Sequence, residues 1–377
     1  MSETVFRNAR VVTADEVVEG SVLVRDGRVA AIHPGFSGTG ADLDGDYLLP
    51  GLVEVHTDNF ERHLMPRPKV RWPELPALVG HDAEIAAAGI TTVFDALGLG
   101  DIGLDGMRSQ DMSTVIASIE RAAAAGLLRA DHRLHVRCEL PAPSLLELFG
   151  PFRAHPLVGL ISVMDHTPGQ RQWENLQHAR TYYIGKKGWT EEGFQRSLAQ
   201  ARENQERYVI PHRRYFVELA RSRGIPLATH DDTLPEHVAE AVADGAVISE
   251  FPTRPEAARA ARESGLAIVM GAPNVVRGGS HSGNVAAAEL ARMGLLDALS
   301  SDYVPASLML AAFQLTEEAG WALPDALASV SRNPARAVGL HDRGEIAQGK
   351  RADLVQVRLA GNQPVVRAVW REGNRVV

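Results

Sequence analysis

The stretch LLPGLVEVHTDNFERHLMPRPKVRW, residues 48–72, ends an apolar run on a histidine and a carboxylate two positions apart, His56 and Asp58. Residues two apart on a strand face the same way, so both side chains can aim at one point. Imidazole nitrogen and carboxylate oxygen together suit a divalent metal ion. One such pair is equally a solvated strand end with a capping carboxylate, so the reading depends on whether other segments end in the same chemistry.

They do. Glu139 closes LHVRCE, Asp165-His166 closes an apolar run at residues 158–166, His230-Asp231-Asp232 closes another, and Glu250 and Asp302 end two more. Clustered His, Asp and Glu mark metal or catalytic sites. His166 and His230 are the best imidazole ligands after His56, and Glu139 is a candidate bridging carboxylate or the partner of Arg137. Asp302 can bind metal and also take a proton from water. Asp231, Asp232 and Glu250 are candidates to orient the ligands, with a helix N-cap as the alternative for Asp232. Cys138 alternates to the opposite face from Glu139, where a lone thiol packs.

A second pattern is cationic. Arg62, His63, Arg67, Lys69 and Arg71 follow the ligand pair, Arg171 lies in TPGQRQW, and Arg277 precedes GGSHSGN. The formal net charge is −8, which argues against a general nucleic-acid surface and makes any anion site a local basic pocket. The loop 278–284, with Ser280, His281 and Ser282, runs into the helical stretch NVAAAELARMG; glycines and free amides at such a start suit a phosphate, although an ordinary flexible turn has the same composition. His281, on the same loop, is a candidate to protonate or stabilise a leaving group there.

These residues need a scaffold that gathers distant strand ends. Short, nearly all-apolar runs at 50–56, 91–96, 133–139, 158–166, 225–230, 246–251, 267–273 and 296–302 alternate with amphipathic helical stretches, the rhythm of a parallel sheet wrapped by helices. Their number fits an α/β fold of the (β/α)₈ type, a TIM-like barrel in which chemistry collects at the C-terminal strand ends. Both chain ends read instead as alternating β runs, so residues 1–49 and 343–377 are expected to form one small β-sandwich domain around a barrel of residues 50–342. A helical insert is expected around 170–224. One cysteine, no apolar signal core and no run of about 18 apolar residues are expected of a soluble cytoplasmic protein with no membrane partner.

Pro50-Gly51-Leu52-x-x-x-His56, GEIAQGKRADLVQV near the C-terminus and the split β domain resemble the amidohydrolase superfamily, which holds one or two metals at the mouth of such a barrel. Within it, HTDNFERHLMPRPKVRWP, RCEL, MDHTPGQRQ, THDD, GAPNVVRGGSHSGN and SSDY are similar to a branch acting in the carbon–phosphorus lyase pathway of phosphonate metabolism. The resemblance covers essentially the whole chain. It implies His56, Asp58, Glu139, His166, His230 and Asp302 as metal ligands, with zinc, or manganese in its place, as the ion. Asp58 stands where the superfamily usually has a second histidine, and no lysine follows strand four, so the bridging role passes to Glu139. The implied reaction is hydrolysis of alpha-D-ribose 1-methylphosphonate 5-triphosphate to 5-phospho-alpha-D-ribose 1-methylphosphonate and diphosphate, with water attacking the α-phosphorus. The cationic residues and Ser280 and Ser282 would bind this phosphorylated ribose, and analogy with the superfamily implies a homo-oligomer. The alternatives are a metal-dependent hydrolase of amides or cyclic amides and a barrel that has lost its metal.

Overall fold

The computed structural model describes residues 3–35, 38–100, 112–171, 174, 176–186, 188–280 and 283–377. Eight parallel strands follow one another in sequence order around a single sheet: β6 (Leu52–Thr57), β7 (Ile90–Leu99), β8 (Asp131–Glu139), β9 (Val158–Met164), β10 (Leu227–His230), β11 (Ile248–Glu250), β12 (Ala267–Gly271) and β13 (Ala298–Ser300). The first and last meet where Thr57 bridges Asp302 in parallel, and so the sheet closes as a barrel. Helices separate the strands, as a parallel sheet requires.

The apolar runs locate every strand, and the trims at their ends have local causes. Pro226 shortens β10 at its start, and Pro273 opens the helix Ala272–Val276 where β12 had been expected to continue. Asp302 lies past the end of β13 at φ 55°, a left-handed conformation outside the extended region of regular strands.

The chain ends form a second sheet: β1 (Glu3–Val12), β2 (Val17–Arg25), β3 (Arg28–Pro34), β4 (Ala41–Asp42), β5 (Tyr47–Pro50), β14 (Leu354–Ala360), β15 (Gln363–Arg371) and β16 (Asn374–Arg375). Its pairing is antiparallel except where β1 meets β4 and β5. Asp26-Gly27 and Glu372-Gly373 turn their hairpins with positive φ at both residues, the geometry that matches strand twist. Phe6, Val11, Val22, Leu48, Leu354 and Trp370 pack its core, with the Phe6 and Trp370 rings edge to face at 4.7 Å. The insert's main element is a helix of 33 residues, Glu191–Arg223, capped by Thr190 and ended by Gly224 at φ 64°. Among the described residues no helix is long and apolar enough to cross a membrane.

By compactness the chain divides into two units, Met1–Asp95 with Ala117–Arg133 and Met270–Val377, and Ala96–Ile116 with Leu134–Val269. Inside the first, the helix Glu74–Ala87 is tied to β7 and β8 by buried charge. His132 lies between Asp95 Oδ2 at 2.8 Å and Asp82 Oδ1 at 3.3 Å. Burial favours its neutral ring, but the two carboxylates outweigh burial and raise it from 6.5 to about 9. A folded value above the unfolded one gives stability that is complete below pH 6.5 and lost as pH rises through about 9. His132→Gln should cost about 3–5 kcal/mol near pH 6. It should also flatten the decline of stability between pH 7 and 9.5 in urea melts; an equally steep decline would place the titrating charge elsewhere.

Candidate metal centre

Each compact unit carries its own set of ligand types. In the first, Glu54 and His56 lie two apart along β6 and are buried, and Asp58 follows just past the strand end, at the start of the helix Asn59–Leu64. Glu54 accepts the backbone N–H groups of His56 and Ser301, each at 2.6 Å, which joins β6 to the end of β13. Burial raises the Glu54 carboxyl to about 7 even though these amides favour its charge. Asp58 N–H donates to the Asp302 carbonyl at 2.7 Å, and Asp302 N–H to the His56 carbonyl at 3.1 Å. Two strand ends far apart in sequence are thereby locked in register. His56 Nε2 is 3.9 Å from Asp58 Oδ1, and ligand atoms of His56, Asp58 and Asp302 all lie within 4.8 Å of one another.

In the second unit, His166 Nδ1 contacts Glu139 Oε2 at 2.5 Å, and the His166 backbone N–H donates to Glu139 Oε1 at 2.8 Å. His230 Nδ1 contacts Glu250 Oε2 at 2.7 Å. The other nitrogens of these imidazoles point together: His166 Nε2 is 3.7 Å and His230 Nε2 is 3.6 Å from Asp231 Oδ2. Carboxylates on the far nitrogen are how proteins orient metal-binding histidines. In this arrangement Glu139 stands behind His166, and the Asp231 carboxylate faces the second nitrogen of both histidines. Burial opposes charge on His166, yet Glu139 and Asp231 raise it to about 9, so a cation taken up here must displace a proton. Asp231 is held below the usual carboxylate range against its burial by His230, His166 and Arg137. Asp231 and Asp302 both sit at strand ends in the left-handed region, at φ 56° and 55°. Such conformations cluster at functional sites, and aspartate tolerates them better than most residues.

The donor chemistry of both sets, imidazole nitrogens with carboxylate oxygens at converging distances, fits a divalent ion. Two contributors were missed in the sequence. Glu54 continues the alternation of His56 and Asp58, and His135, whose Nδ1 is 3.9 Å from Glu250 Oε1, continues that of Arg137 and Glu139. The period of two was the signal for both.

The cations divide. Arg62 and His63 turn to Glu84 at 2.6 and 2.8 Å, and Arg71 pairs with Glu74 at 2.9 Å. Arg171 is buried on Asp232 at 2.6 Å and donates to the His230 carbonyl, which makes it an internal brace for strand β10. Asp232 also accepts from Thr229 and Ser249 and is not the helix cap, because the helix Pro235–Asp244 begins after Leu234. Arg67, Lys69 and Arg277 are exposed, and Ser280 is half-buried. His281 and Ser282 lie outside the described residues. The long helix of the insert reaches two strand ends of its own unit, Gln205 Nε2 donating to Asp165 Oδ2 at 2.7 Å and His212 meeting the Leu140 carbonyl at 2.8 Å.

Residues 201–376 match the Amidohydrolase family. The fold is similar to that of N-acetyl-D-glucosamine-6-phosphate deacetylase from Mycobacterium smegmatis, with a TM-score of 0.65 and 17% identity over 100% of both chains. It is likewise similar to dihydropyrimidinase from Brevibacillus agri, with a TM-score of 0.62 and 16% identity over 100% of this chain and 95% of that one. In sequence, the chain is 46% identical over 376 residues to the alpha-D-ribose 1-methylphosphonate 5-triphosphate diphosphatase of Escherichia coli (strain K12), covering 99% of this chain and 100% of that protein. Similarity of that extent, on an amidohydrolase barrel, places the chain in the family of alpha-D-ribose 1-methylphosphonate 5-triphosphate diphosphatases.

Proposed function

We propose that the protein hydrolyses alpha-D-ribose 1-methylphosphonate 5-triphosphate to 5-phospho-alpha-D-ribose 1-methylphosphonate and diphosphate, as a divalent-metal-dependent cytoplasmic hydrolase of phosphonate metabolism. The observation that carries this reading is the 46% identity over the full chain to a diphosphatase of that name. His56, Asp58 and Asp302 would hold one ion, and His166, His230 and Asp231 another, with Glu139 and Glu250 orienting the imidazoles. Zinc suits these ligands, and manganese suits the carboxylate-rich first set. When bound, such an ion supplies Lewis acidity, lowering the pKa of water and neutralising charge on phosphate oxygens.

The remaining chemistry belongs to the chain. A water oxygen attacks the α-phosphorus, the bond from that phosphorus to the bridging oxygen of diphosphate breaks, and the proton from water passes to the Asp302 carboxylate. The backbone bonds between Asp302, His56 and Asp58 hold that carboxylate beside the ligand pair. Phosphoryl transfer depends on positioning and charge neutralisation more than on covalent catalysis, so the polyphosphate must be gripped. Arg67, Lys69 and Arg277 are exposed cations with no carboxylate partner among the described residues and would serve this task, with Ser280 as a neutral donor. Arg62, His63 and Arg71 would join only by exchanging Glu84 and Glu74 for phosphate.

Asp302→Asn should keep the fold, since asparagine tolerates the same left-handed backbone, while turnover falls by about 10³-fold or more from loss of the proton acceptor and a ligand. Steady-state release of diphosphate by the variant, checked against its melting temperature, tests this; near-normal turnover would take Asp302 out of the mechanism. Arg67→Ala and Lys69→Ala should raise KM for the triphosphate by about tenfold while leaving hydrolysis of a small uncharged ester unchanged. Equal losses on both substrates would remove the loop from phosphate binding. Phosphorus NMR of products formed in oxygen-18 water identifies the attacked phosphorus, and label in diphosphate would overturn attack at the α position.

A further inference from the structure

Behind the ligand pair of β6 lies a buried chain of polar side chains that the proposed reaction does not use. Asp82 accepts the backbone N–H groups of Arg129 and Ala130 at 2.8 and 2.9 Å and the Arg129 guanidinium at 3.0 Å. His132 joins Asp82 to Asp95, His81 Nε2 meets the other Asp95 oxygen at 2.7 Å, and His81 Nδ1 meets Asn59 Nδ2 at 3.0 Å. All of these side chains except that of Arg129 are buried. Asn59 directly follows Asp58, and Asp95 is the sheet partner of Thr57, the residue between His56 and Asp58.

The protons in this chain follow from its partners. Asn59 Nδ2 also lies 3.2 Å from Glu84 Oε2, which only accepts, so that end of the amide is the donor. His81 Nδ1 must then accept from Asn59, which puts the ring proton on Nε2, donating to Asp95. His132 faces a carboxylate at each nitrogen, so both nitrogens donate and the ring is a cation between two anions. Asn59 Oδ1 is left buried with no hydrogen-bond partner among the described residues, a cost of about 1–3 kcal/mol that the amide would avoid if its other bonds did not hold it.

We propose that Asp82, His132, Asp95 and His81 form a positioning relay that fixes Asn59, and through it the backbone that presents the metal-ligating carboxylate of Asp58. His81, Asp95 and His132 also have the residue types and spacing of a metal site. The relay accounts for them better. Its hydrogen bonds occupy every imidazole nitrogen with a carboxylate or an amide, and His132 carries the charge that a cation would otherwise supply. The inference rests on the proposed role of Asp58 as a ligand.

The test is a zinc titration of chelator-stripped protein against a chromophoric competitor, read for the wild type, Asp58→Asn, His81→Leu, His81→Gln and Asn59→Ala. Gln can accept from Asn59 through Oε1 and donate to Asp95 through Nε2, whereas Leu only fills the space. His81→Leu and Asn59→Ala should weaken the same binding step that Asp58→Asn weakens, by about tenfold, with His81→Gln near wild type. If Leu and Gln behave alike, His81 serves packing and the relay is overturned. Wild-type zinc binding in a folded Asn59→Ala overturns it as well, and this variant leaves the core of the relay intact should His81→Leu fail to fold. A zinc equivalent lost in His81→Leu but kept in Asp58→Asn would replace the relay with a metal site. No change in any step for Asp58→Asn would show that Asp58 is not a ligand, which removes the proposed centre and the relay together.

Discussion

The Glu54 carboxylate is the fastening on which the first ligand set depends. It is buried, its charge is disfavoured there, and it lies between the backbone N–H groups of His56 and Ser301. A parallel barrel closes where its first strand meets its last, and no turn connects them to set their register. Here a side chain sets it, with the Thr57 to Asp302 bridge beside it. Any slip by one residue would turn His56 and Asp58 to the opposite face, because side chains alternate along a strand. Closure of the barrel at this seam also sets where His56, Asp58 and Asp302 lie.

Much of this was legible because burial on both faces gives parallel strands nearly continuous apolar runs, and the first polar residue after each run marks its C-terminal end. His56, Glu139, His230, Glu250 and Asp302 were found that way. Glu54 and His135 were not, because each sits inside an apolar run, where a polar residue reads as an exception rather than as a neighbour of the site two positions on. The cationic loop was the least legible part. A sequence shows that Arg62 and Arg171 are cations but not which anion each meets, and their partners, Glu84 and Asp232, lie 22 and 61 positions away. Local spacing carries no information about contacts made across strands.

The second set shows how charge decides a role that residue type leaves open. Glu139 and Glu250 are as able to bind metal as Asp231, yet each is engaged on the Nδ1 side of a histidine. Once there, a carboxylate fixes the tautomer, leaves Nε2 as the outward nitrogen and strengthens it as a donor. Asp231 takes the place facing both Nε2 atoms because a left-handed residue at the end of β10 turns the chain back across the strand. Backbone conformation, which no residue type states directly, sets which carboxylate faces the outward imidazole nitrogens.

The same logic extends to the interior of the first unit. A cation between two carboxylates is costly to bury and is retained only where geometry satisfies every donor. His132 meets that condition, and the consequence is a fixed proton at each step from Asp82 to Asn59. A neutral, apolar filling of the same space would pack as well, but it would leave the Asn59 amide held by Glu84 alone. If Asp58 is the ligand proposed for it, its placement rests on polar groups well away from it, which would give a reason for titratable side chains to lie buried beneath the site.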